Sequence, residues 1–212
     1  MRLDHVSFAC GPAGLNVCAE EIGQALGMRP VTGGIHPRFG TRNAIFPLKN
    51  HRYIEVVEVL DHPSADSAPF GQAVRARSEL GGGWLGWVVS VSDLALFEKR
   101  LGRDSVPGNR KFPDGRELQW RQIGVKGLIA DPQVPFLLNW ISPPDLHPSM
   151  AAPTDVALAE LQIAGSPSRV TDWLGRDVRD ALADVDVDWV APNGTPGVLS
   201  VTFETPRGTV TI

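Results

Sequence analysis

Glu55 is the first residue of this sequence that needs a chemical reason for its place. It lies in Tyr53-Ile54-Glu55-Val56-Val57. A carboxylate buried in such company must be paired, bind a metal or carry a raised pKa, because burying it alone is costly. Glu58 has the opposite parity and reads as an edge or solvent residue. His5 shares a strand face with Ser7 and Ala9, and taken alone it reads as a solvated or backbone-bonded histidine near a strand start. The stretch from Gly33 to Asn43 holds His36, Arg38, Arg42 and Asn43. As a lid it would present a cation to a carboxylate or carbonyl, since arginine grips such oxygens with two parallel donors. As a plain connection its glycines would only permit positive φ. Trp84, Trp87, Trp120 and Trp140 fall close together in the chain and could wall an apolar pocket for a small aromatic or acyl ligand, or pack a core. Trp120 is the best pocket candidate among them, because Leu118, Trp120 and Gln122 share one strand face. His51, His62 and His147 lie beside turn residues and read as solvated.

The elements that must position these groups follow from periodicity. Leu3 to Cys10 alternates as a strand, and Gly11-Pro12 breaks it. Leu15, Cys18, Ile22 and Leu26 then recur at helical spacing until Gly27 closes the helix. Thr41 to Pro47 and Tyr53 to Val59 read as strands, with Gly33-Gly34 as a turn and room for one more short strand in that glycine-rich stretch. A connector with a helix from Phe70 to Leu80 ends at Gly81-Gly82-Gly83. The pattern then recurs: a strand from Trp84 to Val91, a helix capped by Asp93 and running to Leu101, a turn at Pro113-Asp114-Gly115, an alternating stretch from Arg116 to Val125, and a buried strand from Val134 to Ile141. After Pro143-Pro144 a shorter copy shows a strand from Val156 to Ala164, a helix from Ser166 to Leu182, a strand from Val185 to Val190 and a hairpin around Pro206-Arg207-Gly208. Internal repetition at about sixty to eighty residues implies an α+β fold of repeated βαβββ modules. The first module spans 1–62, a connector 63–83, the second module 84–143 and a smaller C-terminal module 154–212.

Composition narrows the partners. A net charge of -4 without a Lys/Arg cluster argues against nucleic acid and against an anionic membrane surface, and no apolar run is long enough to span a bilayer. Cys10 and Cys18 are too far apart for a CxxC motif and read as buried thiols. Met1 to His5 lacks the lead of a signal peptide, so the expected location is cytoplasmic. No G-x-S-x-G elbow, phosphate loop or H-E-x-x-H helix is present. Gly81 to Gly86 fits the letters G-x-G-x-x-G but opens a strand, so it is no phosphate cradle.

The successive modules, opening with Leu3-Asp4-His5-Val6 and closing with Tyr53-Ile54-Glu55-Val56, resemble the vicinal oxygen chelate superfamily of glyoxalases, extradiol dioxygenases and bleomycin-resistance proteins, and within it the glyoxalase-like domain branch. Gly33 to Asn43, Pro113 to Trp120 and Pro135 to Trp140 carry the resemblance in order and spacing. It implies that two modules pair into a cup-shaped mixed sheet, often around a divalent metal held by one residue from the first and one from the last strand of each module. His5 and Glu55 match the first-module positions, and imidazole with carboxylate suits Zn, Ni, Fe or Mn. The second module departs from the pattern: Gly86 stands at its first position, and Asn139, or Leu138 after a one-residue slip, at its last. A catalytic metal needs about three protein ligands, which leaves His36 as the remaining donor if its segment folds over the cup. The resemblance thus makes His5 and Glu55 metal candidates, Glu55 and His36 catalytic candidates, and Arg42, Asn43, Trp120 and Asn139 substrate-binding candidates. The expected activity is a metal-dependent lyase, isomerase or dioxygenase acting on a small oxygen-bearing molecule. The alternative is a metal-free sequestering protein of the resistance type, and a third reading is a scaffold whose sheet edges assemble dimers. An odd module must cover a face of its own chain or pair with a second copy, and the expectation leans to a homodimer.

Overall fold

A computed structural model describes residues 1–212 apart from Pro113, Ala183 and Pro192, so the expected turn residue Pro113 lies outside the described residues. The first module contains β1 (Arg2–Ala9), α1 (Gly14–Leu26), β2 (Val31–His36), β3 (Thr41–Leu48) and β4 (Arg52–Val59). Helix α1 buries Leu15, Cys18, Ile22 and Leu26 and ends at Gly27 in the left-handed region. Strand β1 runs parallel to β4, while β2, β3 and β4 form antiparallel hairpins. Helices α2 (Pro63–Ser67) and α3 (Pro69–Glu79) then lead to β5 (Gly83–Ser90), α4 (Ala95–Leu101), β6 (Val106–Lys111), β7 (Glu117–Ile123) and β8 (Phe136–Trp140). The second module repeats the pairing, with β5 parallel to β8.

Antiparallel pairing of β1 with β5 joins the modules into one mixed sheet ordered β2-β3-β4-β1-β5-β8-β7-β6. This sheet curls until its two edges approach: a Cβ placed on Gly34 of β2 would lie 3.5 Å from Cδ of Arg110 on β6. The curl makes the cup. Side-chain parity divides its faces, so Val6, Ile54, Val56, Trp87 and Leu137 face outward into the larger apolar core, whereas Val57, Val88, Phe136 and Leu138 belong to a separate inner cluster.

The C-terminal module has β9 (Ala157–Ala164), α5 (Pro167–Leu174), α6 (Val178–Ala181), β10 (Asp186–Val190), β11 (Gly197–Thr205) and β12 (Gly208–Thr211). Its element order matches the other modules, but its pairing is β10-β9-β11-β12, with β10 parallel to β9. The single helix expected from Ser166 to Leu182 is divided at Gly175, which adopts a left-handed φ of 74°. Leu161, Ile163, Trp173, Val201 and Phe203 join the same apolar core as Val6, Trp84 and Trp87. The odd module therefore covers the outer face of its own chain's cup.

The short strand for which the glycine-rich stretch leaves room is β2, with Gly33-Gly34 inside it rather than at a turn, whereas β6 forms from Val106-Pro107-Gly108-Asn109-Arg110-Lys111, where no strand is expected.

Candidate functional site

The inner face of the cup encloses a cavity of about 60 Å³ whose wall includes His5, His36, Asn43, Glu55, Arg110 and Trp120. Strand pairing explains the first group. His5 of β1 sits opposite Tyr53 of β4, and Ser7 opposite Glu55, so parity turns all four side chains inward. Phe39, Phe70, Phe136 and Trp140 supply the apolar part of the wall.

Glu55 is nine-tenths buried and hydrogen-bonded at both oxygens. Ser7 Oγ donates to Oε2 at 3.1 Å, and Asn43 Nδ2 donates to Oε1 at 2.7 Å. The partner that burial demands is therefore a pair of hydrogen-bond donors. Asn43 can reach this position because residue 33 is glycine: a Cβ there would come within 1.8 Å of Asn43 Oδ1. His36, at the end of β2, is buried, with Nδ1 3.5 Å from Thr41 Oγ1. Burial lowers its pKa, opposed by the charge of Glu55 and aided by Arg110, so the imidazole is held toward its neutral form.

A second polar cluster stands behind His5. Asp4 is completely buried. It accepts from His5 Nδ1 at 2.8 Å, Trp140 Nε1 at 3.1 Å and His147 Nε2 at 3.3 Å, and pairs with Arg2 at 3.0 Å. Burial would raise the Asp4 carboxyl, but the hydrogen bonds from His147 and His5 outweigh it and hold the group below the usual carboxylate range. The His5 ring also stacks on Tyr53, with centroids 4.3 Å apart. Burial pushes the Tyr53 hydroxyl up, as do the charges of Asp4 and Glu55. His147, which reads as solvated in the sequence, is buried instead. Its segment folds back onto Asp4, 143 positions earlier, where the imidazole also meets Ser149.

Two expected substrate-binding residues stand apart from this cavity. Arg42 alternates out of the cup, because its neighbours Thr41 and Asn43 take the inner face, and its guanidinium pairs with Glu58 outside. The segment from Gly33 to Asn43 is accordingly a β-hairpin with its turn after His36, not a lid carrying that arginine. Asn139 spends its amide on the backbone, with Nδ2 donating to Val91 O at 3.0 Å and Ser92 O at 2.9 Å. Leu138 takes the inward position on β8.

That register decides whether the residues fit a divalent metal. His5 and Glu55 both line the cup, but the second-module positions hold Gly86 and Leu138. A Cβ on Gly86 would lie 2.8 Å from Leu128 Cδ2, so hydrocarbon fills the space where a donor would stand. His5 gives one ring nitrogen to Asp4, and Glu55 is engaged by Ser7 and Asn43. Among the described residues no group of three or more His, Cys, Asp or Glu side chains is placed to hold a metal ion. The residues do not fit the expected metal centre.

Arg110, Tyr53 and Asp4 are the site residues that do not stand out in the sequence. Arg110 belongs to β6, whose alternating burial is the one signal that could have found it: Gly108 and Arg110 are inside, Pro107, Asn109 and Lys111 outside. Asp4 is hidden because its partners come from remote segments.

Comparison with known proteins agrees with this architecture. A family described as glyoxalase-like domain matches residues 3–178. No curated protein matches the chain. Among solved structures, a hypothetical protein from Staphylococcus aureus is similar over 98% of this chain and 92% of its own, with 14% identity and a TM-score of 0.70, a likeness of fold alone. Methylmalonyl-CoA epimerase from Mycobacterium tuberculosis is similar over 66% of this chain and 86% of its own, with 19% identity and a TM-score of 0.44. A variant of the Streptomyces coelicolor epimerase in complex with 2-nitronate-propionyl-CoA covers 67% of this chain and 99% of its own, with 15% identity and a TM-score of 0.45. No helix among the described residues is long and apolar enough to cross a membrane.

Proposed function

The chain belongs to the glyoxalase-like domain family, and on that premise we propose that its cup is a site for a small oxygen-bearing organic molecule, held by protein groups without a resident metal. The observation that carries this reading is the inner wall of the second module. Gly86 and Leu138, with Leu128 packed over the glycine, put hydrocarbon where two of four metal donors would be needed. The first module keeps its polar residues, but His5 and Glu55 are already engaged within the protein. A cavity lined by both polar groups and aromatic rings suits a compact organic ligand.

Metal content separates this reading from the metal-dependent one. Protein produced with Zn, Ni, Fe and Mn available and then desalted is expected to carry well under one equivalent of any of them, and His5→Ala and Glu55→Ala are expected to carry the same. Stoichiometric metal that both variants lose would contradict the proposal.

If the bound molecule also reacts, Glu55 and His36 are the groups placed to move its protons. They face one cavity in different states, a hydrogen-bonded carboxylate and an imidazole kept toward neutrality by burial. Glu55→Gln then abolishes turnover and leaves binding within a few-fold. Equal loss of both would reduce Glu55 to a binding group.

A further inference from the structure

We propose that Arg110 is the receiving group for the carboxylate of a small organic acid, so that the ligand class of the cup is compact carboxylic acids. This rests on the reading of the cup as a small-molecule site and assigns its ligand chemistry. Arg110 lies on the buried side of β6 and lines the cavity. It is nine-tenths buried, its Nε has no hydrogen-bond partner, and its guanidinium makes no ion pair among the described residues. The stem lies beside Gly34 on the opposite edge of the sheet, and the guanidinium carbon sits 4.5 Å from the centroid of the Phe112 ring.

The other buried arginine, Arg52 at 1% exposure, donates to Leu3 O and pairs with Asp184, although its Nη1 has no hydrogen-bond partner among the described residues. An arginine stays charged even when burial disfavours the charge, and a buried charge without a partner is costly. Glu55 shares the cavity wall with Arg110, yet no ion pair joins them among the described residues, and the carboxylate is committed to Ser7 and Asn43. The cavity therefore presents an unclaimed planar cation. A carboxylate matches it with two parallel N–H···O bonds, stronger than those of a neutral acceptor. Phe136, Trp120 and Trp140 are available to the apolar remainder, and the small cavity volume favours acids of few heavy atoms.

The test titrates the full chain with acetate, propionate and benzoate and with the matching amides acetamide, propionamide and benzamide, at constant ionic strength, following binding by NMR. Each acid and amide pair shares its shape and differs in charge. The acids are expected to bind at least about tenfold more tightly than their amides, the difference expected when a hydrogen bond becomes charge-assisted. Arg110→Met is expected to reduce that preference to within about twofold, and Arg110→Lys, which keeps the charge but not the fork, to retain part of it. Because Arg110 makes no ion pair or hydrogen bond among the described residues, and the methionine stem can keep the contacts with Gly34 and Phe112, Arg110→Met should unfold at the same urea concentration as the parent or a higher one. Acids and amides binding alike, or an acid preference surviving in Arg110→Met, would overturn the carboxylate assignment and leave the cup a neutral-ligand site. A lower unfolding midpoint in Arg110→Met would show that the arginine is already satisfied, with the same consequence. If neither acid nor amide moves any resonance, the reading of the cup as a small-molecule site falls as well.

Discussion

Asp4→Ala should lose about 3–5 kcal/mol of stability, the cost of removing one member of a buried charged network. The carboxylate has no exposure, and the three donors that reach it, on His5, Trp140 and His147, come from buried or half-buried residues of β1, β8 and the segment after β8. Removing the acceptor leaves those donors without partners, and each unsatisfied group is expensive in its own right. Asp4→Asn, which keeps one acceptor oxygen and the shape, should lose less. The pH dependence has a definite sign. The folded-state pKa of Asp4 is lowered, so its contribution is fully present above the unfolded value of about 4 and is lost as pH falls through the folded value. The parent should therefore lose stability below about pH 4, and Asp4→Asn should show a shallower loss over the same range. Urea unfolding of the three proteins at neutral and acid pH checks both statements. A loss under about 1 kcal/mol for Asp4→Ala would mean that the network does not brace the cup.

Trp87→Ala should be comparably severe, about 3–5 kcal/mol, as expected for deleting a buried aromatic ring. Trp87 has no exposed surface and is the largest of the fully buried side chains. It stands on the outer face of β5, in the apolar core to which Phe203 and Trp173 of the C-terminal module contribute, and its indole donates to Gln133 O at 2.9 Å. The substitution opens a cavity in the core that the cup shares with the C-terminal module and also orphans a carbonyl. Its unfolding midpoint should fall without change in the slope of the transition. A loss below about 1 kcal/mol would indicate that the junction tolerates a cavity at its centre.

Much of the architecture is legible in the sequence because it rests on periodicity. The stripe Leu15, Cys18, Ile22 and Leu26 buries as its spacing requires, and the alternation in β1 and β4 places His5, Ser7 and Glu55 on one face. Where the local signal is glycine, the strand is blurred: the stretch leaves room for β2, but Gly33-Gly34 reads as a turn although it lies within that strand, and the missing side chain at Gly33 makes room for Asn43. Strand β6 is hidden in the same way by Pro107 and Gly108. Strand parity separates the expected binding residues from one another. Between Arg42 and Asn43, or between Leu138 and Asn139, one position decides whether a side chain enters the cup or leaves it. The pairing of Asp4 with His147 is set by the tertiary fold, and no local pattern announces it.

Binding of a small molecule at this wall of the cup can be observed directly. The six tryptophans give a direct measurement, because Trp120 and Trp140 line the cavity whereas the indoles of Trp87 and Trp173 are bonded to backbone carbonyls in the outer core. Indole N–H resonances, assigned by single Trp→Phe substitutions, are followed while propionate and propionamide are added. Saturable shifts are expected at Trp120 and Trp140, with Trp87 and Trp173 unmoved. Shifts that spare Trp120 and Trp140, or spread evenly over all six signals, would contradict binding at this wall.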